Sequence, residues 1–557
     1  MVRWLEPAVL ADAALRVIVS AAFGAYADKR ELQAFSDVPP SYTYDEDEPL
    51  WLDFVADLGD GFDATYAVAC LLGRERLELS DGQGGQHDLP RGRVLVMGGD
   101  QVYPAATRQE YENRFRGPYG AAFPWAPPSE APHLFAIPGN HDWYDGLTNF
   151  LRFFCSQRDI GGWKTRQRRS YFALRLPHRW WLLALDIQLD TYIDEPQLTY
   201  FAGAGLQSGD RVILVTGKPS WVKVRPELEP DSYKNLRYFT ERVVAPTGAE
   251  VRLTLTGDLH HYYRYEADDG TQLVTAGGGG AYLFPTHTLP ERLSLPAVAK
   301  GVEDAPAEDA LGVVPAEEVP GTAPTEGASG ETRAEYTRRA CFPPREVSER
   351  LAWGALRMQR HAPGLCVLIG ALDAIFAIAL FAALDGRASP VPTIVVGALI
   401  ALSLIVYAAA ETLPAKLAFG LAHSAAQLAL AAIAPVVLEV AFGADGAGLG
   451  LVAGAAAAVI GFALGGPGVG LYLVLSHRHA PKHANEVLAC QGNADYKGFL
   501  RLRIDEQGVT IYPVGLRRTP RKWTVASDDP PERPWLRSAD GDLDPELIET
   551  PINVRRG

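Results

Sequence analysis

Along the first 300 positions, short apolar runs end in loops of Gly, Asp, Asn and His. Runs at 53–56, 93–97, 133–137, 180–185, 211–216, 251–256 and 272–275 are rich in β-branched and aromatic residues. Bounded by turn residues, they predict strands, with helices between several of them. The stretch 9–23 is apolar but carries Asp12 and Arg16. It predicts an amphipathic helix packed on this domain, and it lacks the basic start and clean apolar core of a secretory signal. The expected class for 1–300 is α/β.

The pattern then changes twice. Residues 301–332 are rich in Ala, Pro, Gly and Glu, with eight acidic residues and no Lys or Arg. Such a stretch cannot bury enough apolar surface to order itself, so a disordered acidic linker is expected. Residues 333–361 carry seven arginines against three glutamates and read as a basic juxtamembrane segment. From 362 to 476 the chain is strongly apolar, with runs at 365–384, 391–410, 417–442 and 447–475. About 20 apolar residues cross a bilayer core, so an all-α transmembrane domain of about four helices is expected. The last run is long and Gly/Ala-rich, and two short segments broken near 465–468 are its alternative reading. Asp373, His423 and Glu439 fall inside these runs, as helix-packing groups or as an ion path.

Residues 477–557 are expected to form a β-rich tail. Runs 499–504 and 509–514 alternate around Asp505-Glu506-Gln507-Gly508, which predicts a hairpin with a four-residue loop. The last thirty residues are polar and Pro-rich and are expected to be loose. Basic residues set the orientation. Arg345, Arg350, Arg357 and Arg360 precede the first span, Arg478 and Lys482 follow the last, and the loops between carry only Arg387 and Lys416. Both soluble ends are therefore expected in the cytoplasm, with a multi-pass cell-membrane anchor between them and the lipid bilayer as a partner.

Charge and cysteines narrow the function. The 557 residues carry a net charge of −15, which argues against non-specific nucleic-acid binding. Five cysteines without CxxC spacing suit a reducing compartment and no disulfide framework.

Four loop motifs follow predicted strands: Asp57-Leu58-Gly59, Gly99-Asp100-Gln101-Val102-Tyr103, Gly139-Asn140-His141-Asp142 and Gly257-Asp258-Leu259-His260-His261. Any one alone reads as a turn. All four in this order point to one site, because strand-end loops of an α/β sheet converge on one edge. Carboxylate, imidazole and amide oxygens suit Mn, Fe or Zn. Two such cations can neutralise a phosphoryl group and acidify a water.

In these motifs the N-terminal 300 residues resemble a calcineurin-like metallophosphoesterase, a superfamily with a double β-sheet sandwich flanked by helices and a dinuclear metal site. Its motif order is DxH, GD, GNH, a lone His, then GHxH. Here Gly59 stands in place of the first histidine and Asp258 in place of the first His of GHxH. The segment around Gly217 and Lys218 holds no histidine. The purple acid phosphatase branch uses DxG with GDxxY, which Asp57-Leu58-Gly59 and Asp100 to Tyr103 match. The resemblance implies one metal on Asp57, Asp100, Tyr103 and His260, and a second on Asp100, Asn140 and Asp258, with His261 a spare ligand. A phenolate ligand would favour a trivalent ion. The cofactors implied are two divalent or trivalent ions among Fe, Mn and Zn. His141 would protonate the leaving group, with Asp142 orienting it, in hydrolysis of a phosphate ester by metal-bound hydroxide. A catalytically degenerate, phosphate-binding signalling protein is the alternative, and a transporter with a regulatory head a weaker third.

Softer features surround these motifs. Trp143, Tyr144, Asp145 and Gly146 line the pocket or start a helix. Gly277–Gly280 either lets backbone approach a ligand or turns the chain. Asp60 is expected to cap the helix that follows it.

Overall fold

The structure, a computed structural model, describes residues 1–23, 29–33, 35–187, 192–224, 231–297, 332–409, 412–442, 447–479, 483–526 and 533–555. The expected linker falls, at 301–331, outside the described residues.

Two nine-stranded sheets lie face to face. In the first, Leu50–Val55, Val94–Met97 and His133–Ala136 run parallel. In the second, Trp180–Ala184, Arg211–Thr216, Glu250–Thr256 and Gln272–Ala276 run parallel. The seven predicted strands are thus all present. Side-chain alternation explains why their sequences read as nearly continuous apolar runs. Leu52, Phe54, Val94 and Val96 point into the core between the sheets, with Leu182, Ile213 and Leu255 opposite. Val55, Leu95 and Met97 point the other way, onto a helical layer with Tyr66, Phe115 and Phe150. A second outer layer with Phe201, Trp221 and Phe239 covers the other sheet. The result is the α/β double-sheet sandwich flanked by helices that the motifs imply.

Several boundaries differ from the sequence reading. The tail is not a separate unit: Lys497–Asp505 pairs antiparallel with Leu50–Val55 and so extends the first sheet. It pairs in turn with Gly508–Leu516, where Asp505 faces Gly508 across a turn shorter than the four residues expected. The last residues are ordered where described, because Glu546–Leu547 and Ile552–Arg555 both pair with Gly508–Leu516. Glu549 fixes this end by accepting from Arg264 Nη2 at 2.6 Å. The basic segment 333–361 begins as a strand, Arg333–Phe342, paired with Tyr262–Ala267 and Arg292–Pro296. Its arginines serve the sheet: Arg339 donates to Glu266 at 2.8 Å and Arg338 to the Leu289 carbonyl at 2.6 Å. Helix Pro7–Phe23 forms as expected, but most of it stands clear of the sandwich and its neighbour is the start of the first apolar helix.

Among the described residues, three helices are long and apolar enough to cross a membrane: Pro363–Leu384, Leu413–Ala441 and Gly448–His479. The remaining predicted run forms a shorter apolar helix, Val391–Tyr407, of 17 residues. The last run is not broken in two. It passes through a π-helical turn, Gly461–Gly465, and continues. Inside this bundle Asp373 accepts from Gln427 Nε2 at 2.8 and 3.0 Å, and the His423 ring stacks on Tyr472.

Candidate metal centre

The four motif loops all leave the ends of central strands, at 55, 97, 136 and 256. Asp57, Asp100, Asp258 and His260 all hold positive φ, between 46° and 71°. This is uncommon for residues with a Cβ and is tolerated where surrounding contacts over-determine the loop. Here those contacts are mutual. The Asp258 and His260 amides donate to the two Asp57 oxygens at 2.9 and 3.1 Å. The His141 amide and Tyr103 Oη donate to Asp100, each at 3.0 Å.

Asp57, Asp100 and His260 offer one ligand atom each, all within 4.8 Å of one another and all buried. Tyr103 Oη lies 3.0 Å from His260 Nε2 as well as from Asp100, so its phenol closes the same cluster. Two glycines make the close approach possible. A Cβ on Gly139 would lie 1.9 Å from Asp100 Oδ1, and one on Gly277 would lie 2.0 Å from Asp57 Oδ2. The glycine run 277–280 therefore lets backbone approach the Asp57 carboxylate.

The residues fit a cation. Burial, then repulsion by Asp100, pushes the Asp57 carboxyl well above the usual range. Burial raises Asp100 too. Burial and Asp100 together push Asp258 up to about 6. Burial lowers His260 well below an ordinary imidazole. Carboxylates crowded away from water, beside a neutral imidazole, are stabilised as anions by a bound cation. Asn140 fits the same reading. With its amide turned one way it donates to both Asp100 oxygens, at 3.0 and 3.2 Å. Turned the other way, Oδ1 faces that carboxylate, acceptor against acceptor, an arrangement that a shared cation would hold together.

The second half of the site is looser. Asp258 joins the cluster through its backbone, while its side chain feels Asp100, Lys218, Lys223 and His141. Lys218 thus brings positive charge to the segment that holds no histidine. His261 turns away, its Nδ1 3.0 Å from the Phe284 carbonyl oxygen. Asp142 does not orient His141: it accepts from the Gly139 amide at 2.8 Å, from the Gln101 amide and from Tyr111 Oη, all of which fix the loop. The Pro104 carbonyl holds His141 instead, 2.9 Å from Nδ1. Burial brings His141 down to about 4. Tyr144 Oη lies 3.3 Å from the Asn140 amide and so does line the site. Asp145 serves the next helix, accepting from the Asn149 amide at 3.1 Å.

Three further groups were not legible from the motifs. Trp4 lies against Tyr103, His141 and Tyr282, with ring centroids 5.6–5.7 Å apart. Asp60 holds it there: rather than capping a helix, it accepts from the Val2 amide, Trp4 Nε1 and the Tyr282 amide. Tyr282 meets the His260 ring edge-on at 4.6 Å and donates to Asn485, just after the last apolar helix. Lys497 is fully buried, its Nζ has no hydrogen-bond partner among the described residues, and its charge reaches Asp60, Asp57 and His260. An aromatic beside a glycine run was a usable signal for Tyr282. Trp4 and Lys497 sit far from every motif and gave none.

No family model matches the chain, and no curated protein matches it. Among solved structures it is similar to one described as "GAP50 the anchor in the inner membrane complex of Plasmodium". The identity is 13%, the match covers 42% of this chain and 73% of that one, and the TM-score is 0.30.

Proposed function

We propose that this protein is a membrane-anchored, metal-dependent phosphoesterase of the calcineurin-like superfamily, in its DxG/GDxxY form. The observation that carries this reading is the cluster of Asp57, Asp100, Tyr103, Asn140 and His260, drawn from four loops that follow strands of both sheets. Asp57, Asp100, Tyr103 and His260 would hold one ion. Asp100, Asn140 and Asp258 would hold a second, with Fe, Mn and Zn as the metals.

Bound there, such ions supply charge neutralisation for a phosphoryl group and a more acidic water. The chain's own groups do the rest. The Pro104 carbonyl fixes Nδ1 of His141 as a donor and leaves Nε2 free for substrate. A phosphate anion alongside raises the proton affinity of that imidazole, and Nε2 then delivers a proton to the leaving oxygen. Lys218 and Lys223 offset charge beside Asp258. Trp4 covers one side of His141 and limits water there.

The joined sheet supports a topology with both soluble ends on one face of the membrane. Strand Leu50–Val55 precedes the apolar helices and Lys497–Asp505 follows them, yet they pair. An even number of crossings satisfies this, so Val391–Tyr407 crosses as well. Its 17 residues sit at the short end of the spanning range of about 17–25. Arginines before and after the bundle support the cytoplasm as that face.

Metal content with hydrolysis of p-nitrophenyl phosphate, assayed with added Mn, Fe and Zn, tests the proposal. About two ions per chain and turnover are expected. Asp258 and Gly217, in positions where the superfamily carries histidines, favour a second reading, a phosphate-binding protein without turnover. Phosphate binding with one ion or none and no hydrolysis would establish that instead.

A further inference from the structure

Helix Pro7–Phe23 has no protein partner for most of its surface among the described residues. Leu10, Leu15, Val17, Ile18 and Val19 are all exposed, Leu15 by 60% and Ile18 by 65%. Leu10, Ala14 and Ile18 form one row at i, i+4, i+8, and Ala11, Leu15 and Val19 form the next. Asp12 and Arg16 pair with each other at 2.8 Å along a narrow polar edge. An apolar surface this continuous on one helix marks an interaction site.

The surroundings say what covers it. Glu6, just before the helix, accepts from the Gly364 amide at 3.0 Å, in the first turn of the first apolar helix. The Val2 carbonyl lies 3.2 Å from His361 Nε2, just ahead of that helix. The exposed rows therefore start where the lipid-facing surface of Pro363–Leu384 starts, and that surface shows Val367, Leu368, Leu372 and Ile375. The helix is about 25 Å long at 1.5 Å per residue. It cannot cross and return. Arg30 is buried in the soluble domain, 3.2 Å from the Asp186 carbonyl oxygen. The residues between Phe23 and Arg30 reach about 25 Å at full extension, less than the roughly 30 Å of a bilayer core. A helix tied to the soluble domain at both ends, apolar over most of its surface, suits the headgroup boundary.

The same residues lead to the site. Trp4 lies two positions before Glu6 and touches His141 and Tyr103. Tyr282, against His260, is held by Asn485 at the other end of the membrane bundle. The metal cluster is thus tied on two sides to the places where the chain enters and leaves the bilayer.

We propose that helix Pro7–Phe23 lies in the headgroup region of the bilayer beside the first span, and that the adjoining site takes a phosphate ester carried by a membrane lipid. The second clause rests on the phosphoesterase reading; the first stands without it.

The experiment uses the full chain in phosphatidylcholine vesicles. Cys155 and Cys341 are replaced by Ser, and an environment-sensitive NBD label is placed at Leu15→Cys or Ile18→Cys, with Ile375→Cys as the lipid-facing reference. Doxyl-labelled phosphatidylcholine is expected to quench the first two labels as it quenches the reference. Labels at 15 and 18 that stay unquenched while 375 is quenched would overturn the placement. In parallel, Leu15→Glu/Ile18→Glu is expected to lose about tenfold or more in turnover of phosphatidic acid in vesicles, since two apolar side chains leave the lipid. Its turnover of soluble p-nitrophenyl phosphate should stay within about twofold, because neither residue touches the cluster. Equal loss on both substrates, or wild-type turnover of the soluble ester alone, would overturn the lipid-substrate clause. Wild-type protein that hydrolyses neither ester would sink the phosphoesterase reading and that clause with it, and the quenching result would still decide the placement.

Discussion

Arg501 grips Asp53 with two parallel hydrogen bonds, Nε to Oδ1 at 2.7 Å and Nη2 to Oδ2 at 2.9 Å, across 448 residues of chain. Both side chains are buried, and Nη1 also donates to the Leu89 carbonyl at 2.9 Å. This fork fastens the strand after the membrane to the strand before it, four residues from Asp57. Removing one partner leaves a buried charge alone, which costs about 3–5 kcal/mol. Arg501→Ala is expected to lower the thermal midpoint of the detergent-purified protein sharply. Asp53→Ala/Arg501→Ala should recover part of the loss, because no unpaired charge is left behind. A midpoint unchanged in the single variant would show that the fork does not carry the joint.

The metal cluster gives a second test, independent of turnover. Gly277→Ala puts a Cβ 2.0 Å from Asp57 Oδ2, so either the carboxylate or the loop must move. Metal content by elemental analysis should collapse in this variant. Gly82→Ala is its control: φ is positive there, unlike at Gly277, yet nothing lies within 4 Å of the added atom. Tyr103→Phe removes one oxygen and leaves the ring packed. It should weaken metal affinity by about 10–100-fold, and it should abolish any visible charge-transfer band from a trivalent ion. Equal metal content in wild type, Gly277→Ala and Tyr103→Phe would rule out this cluster as the metal centre.

Much of this site was legible because its chemistry is local. Each motif is a strand end followed by a turn, so the seven strands and the order of the loops could be read from periodicity and Gly/Asp placement. What could not be read is long-range. Lys497 begins a strand whose pairing with Leu50–Val55 spans more than 400 residues, and nothing near it in sequence marks it as a neighbour of Asp57. Arg333–Phe342 resembles a juxtamembrane basic run because its arginines are spent on bonds within the sheet, which composition cannot reveal. Asp142 reads as a catalytic partner by adjacency. Its loop instead turns the carboxylate toward Gly139 and Tyr111.

Lys497 makes stability depend on pH in a particular window. Burial brings its ammonium down to about 7 from an unfolded value of 10.5. Below pH 7 both folded and unfolded states carry the proton. Between about 7 and 10.5 the unfolded chain binds more protons, so stability rises with pH through that window. A cation in the neighbouring cluster disfavours the ammonium further, in the same direction. The thermal midpoint of wild type should therefore climb relative to that of Lys497→Met from pH 7 toward pH 10, with Lys497→Met the more stable of the two at pH 7. A slope identical in both proteins would assign the climb to other groups.

Crossing parity follows from the shared sheet. Because Leu50–Val55 and Lys497–Asp505 are neighbours, the proposed topology has the membrane bundle begin and end on one face. Three crossings would put these strands on opposite faces and break the five residue pairs that join them. In that proposed topology the short helix Val391–Tyr407 spans, although its length of about 25 Å is less than a typical hydrocarbon core. Local thinning of the bilayer accommodates such a mismatch at modest cost. Ala388 and Thr412 flank this helix and are both exposed, so each can carry a single cysteine. In sealed right-side-out vesicles, a membrane-impermeant maleimide should label Ala388→Cys at once and Thr412→Cys only after detergent is added. Labelling of both from the same side would mean that Val391–Tyr407 does not cross, and the joined sheet would then require another of the apolar helices to stay out of the bilayer as well.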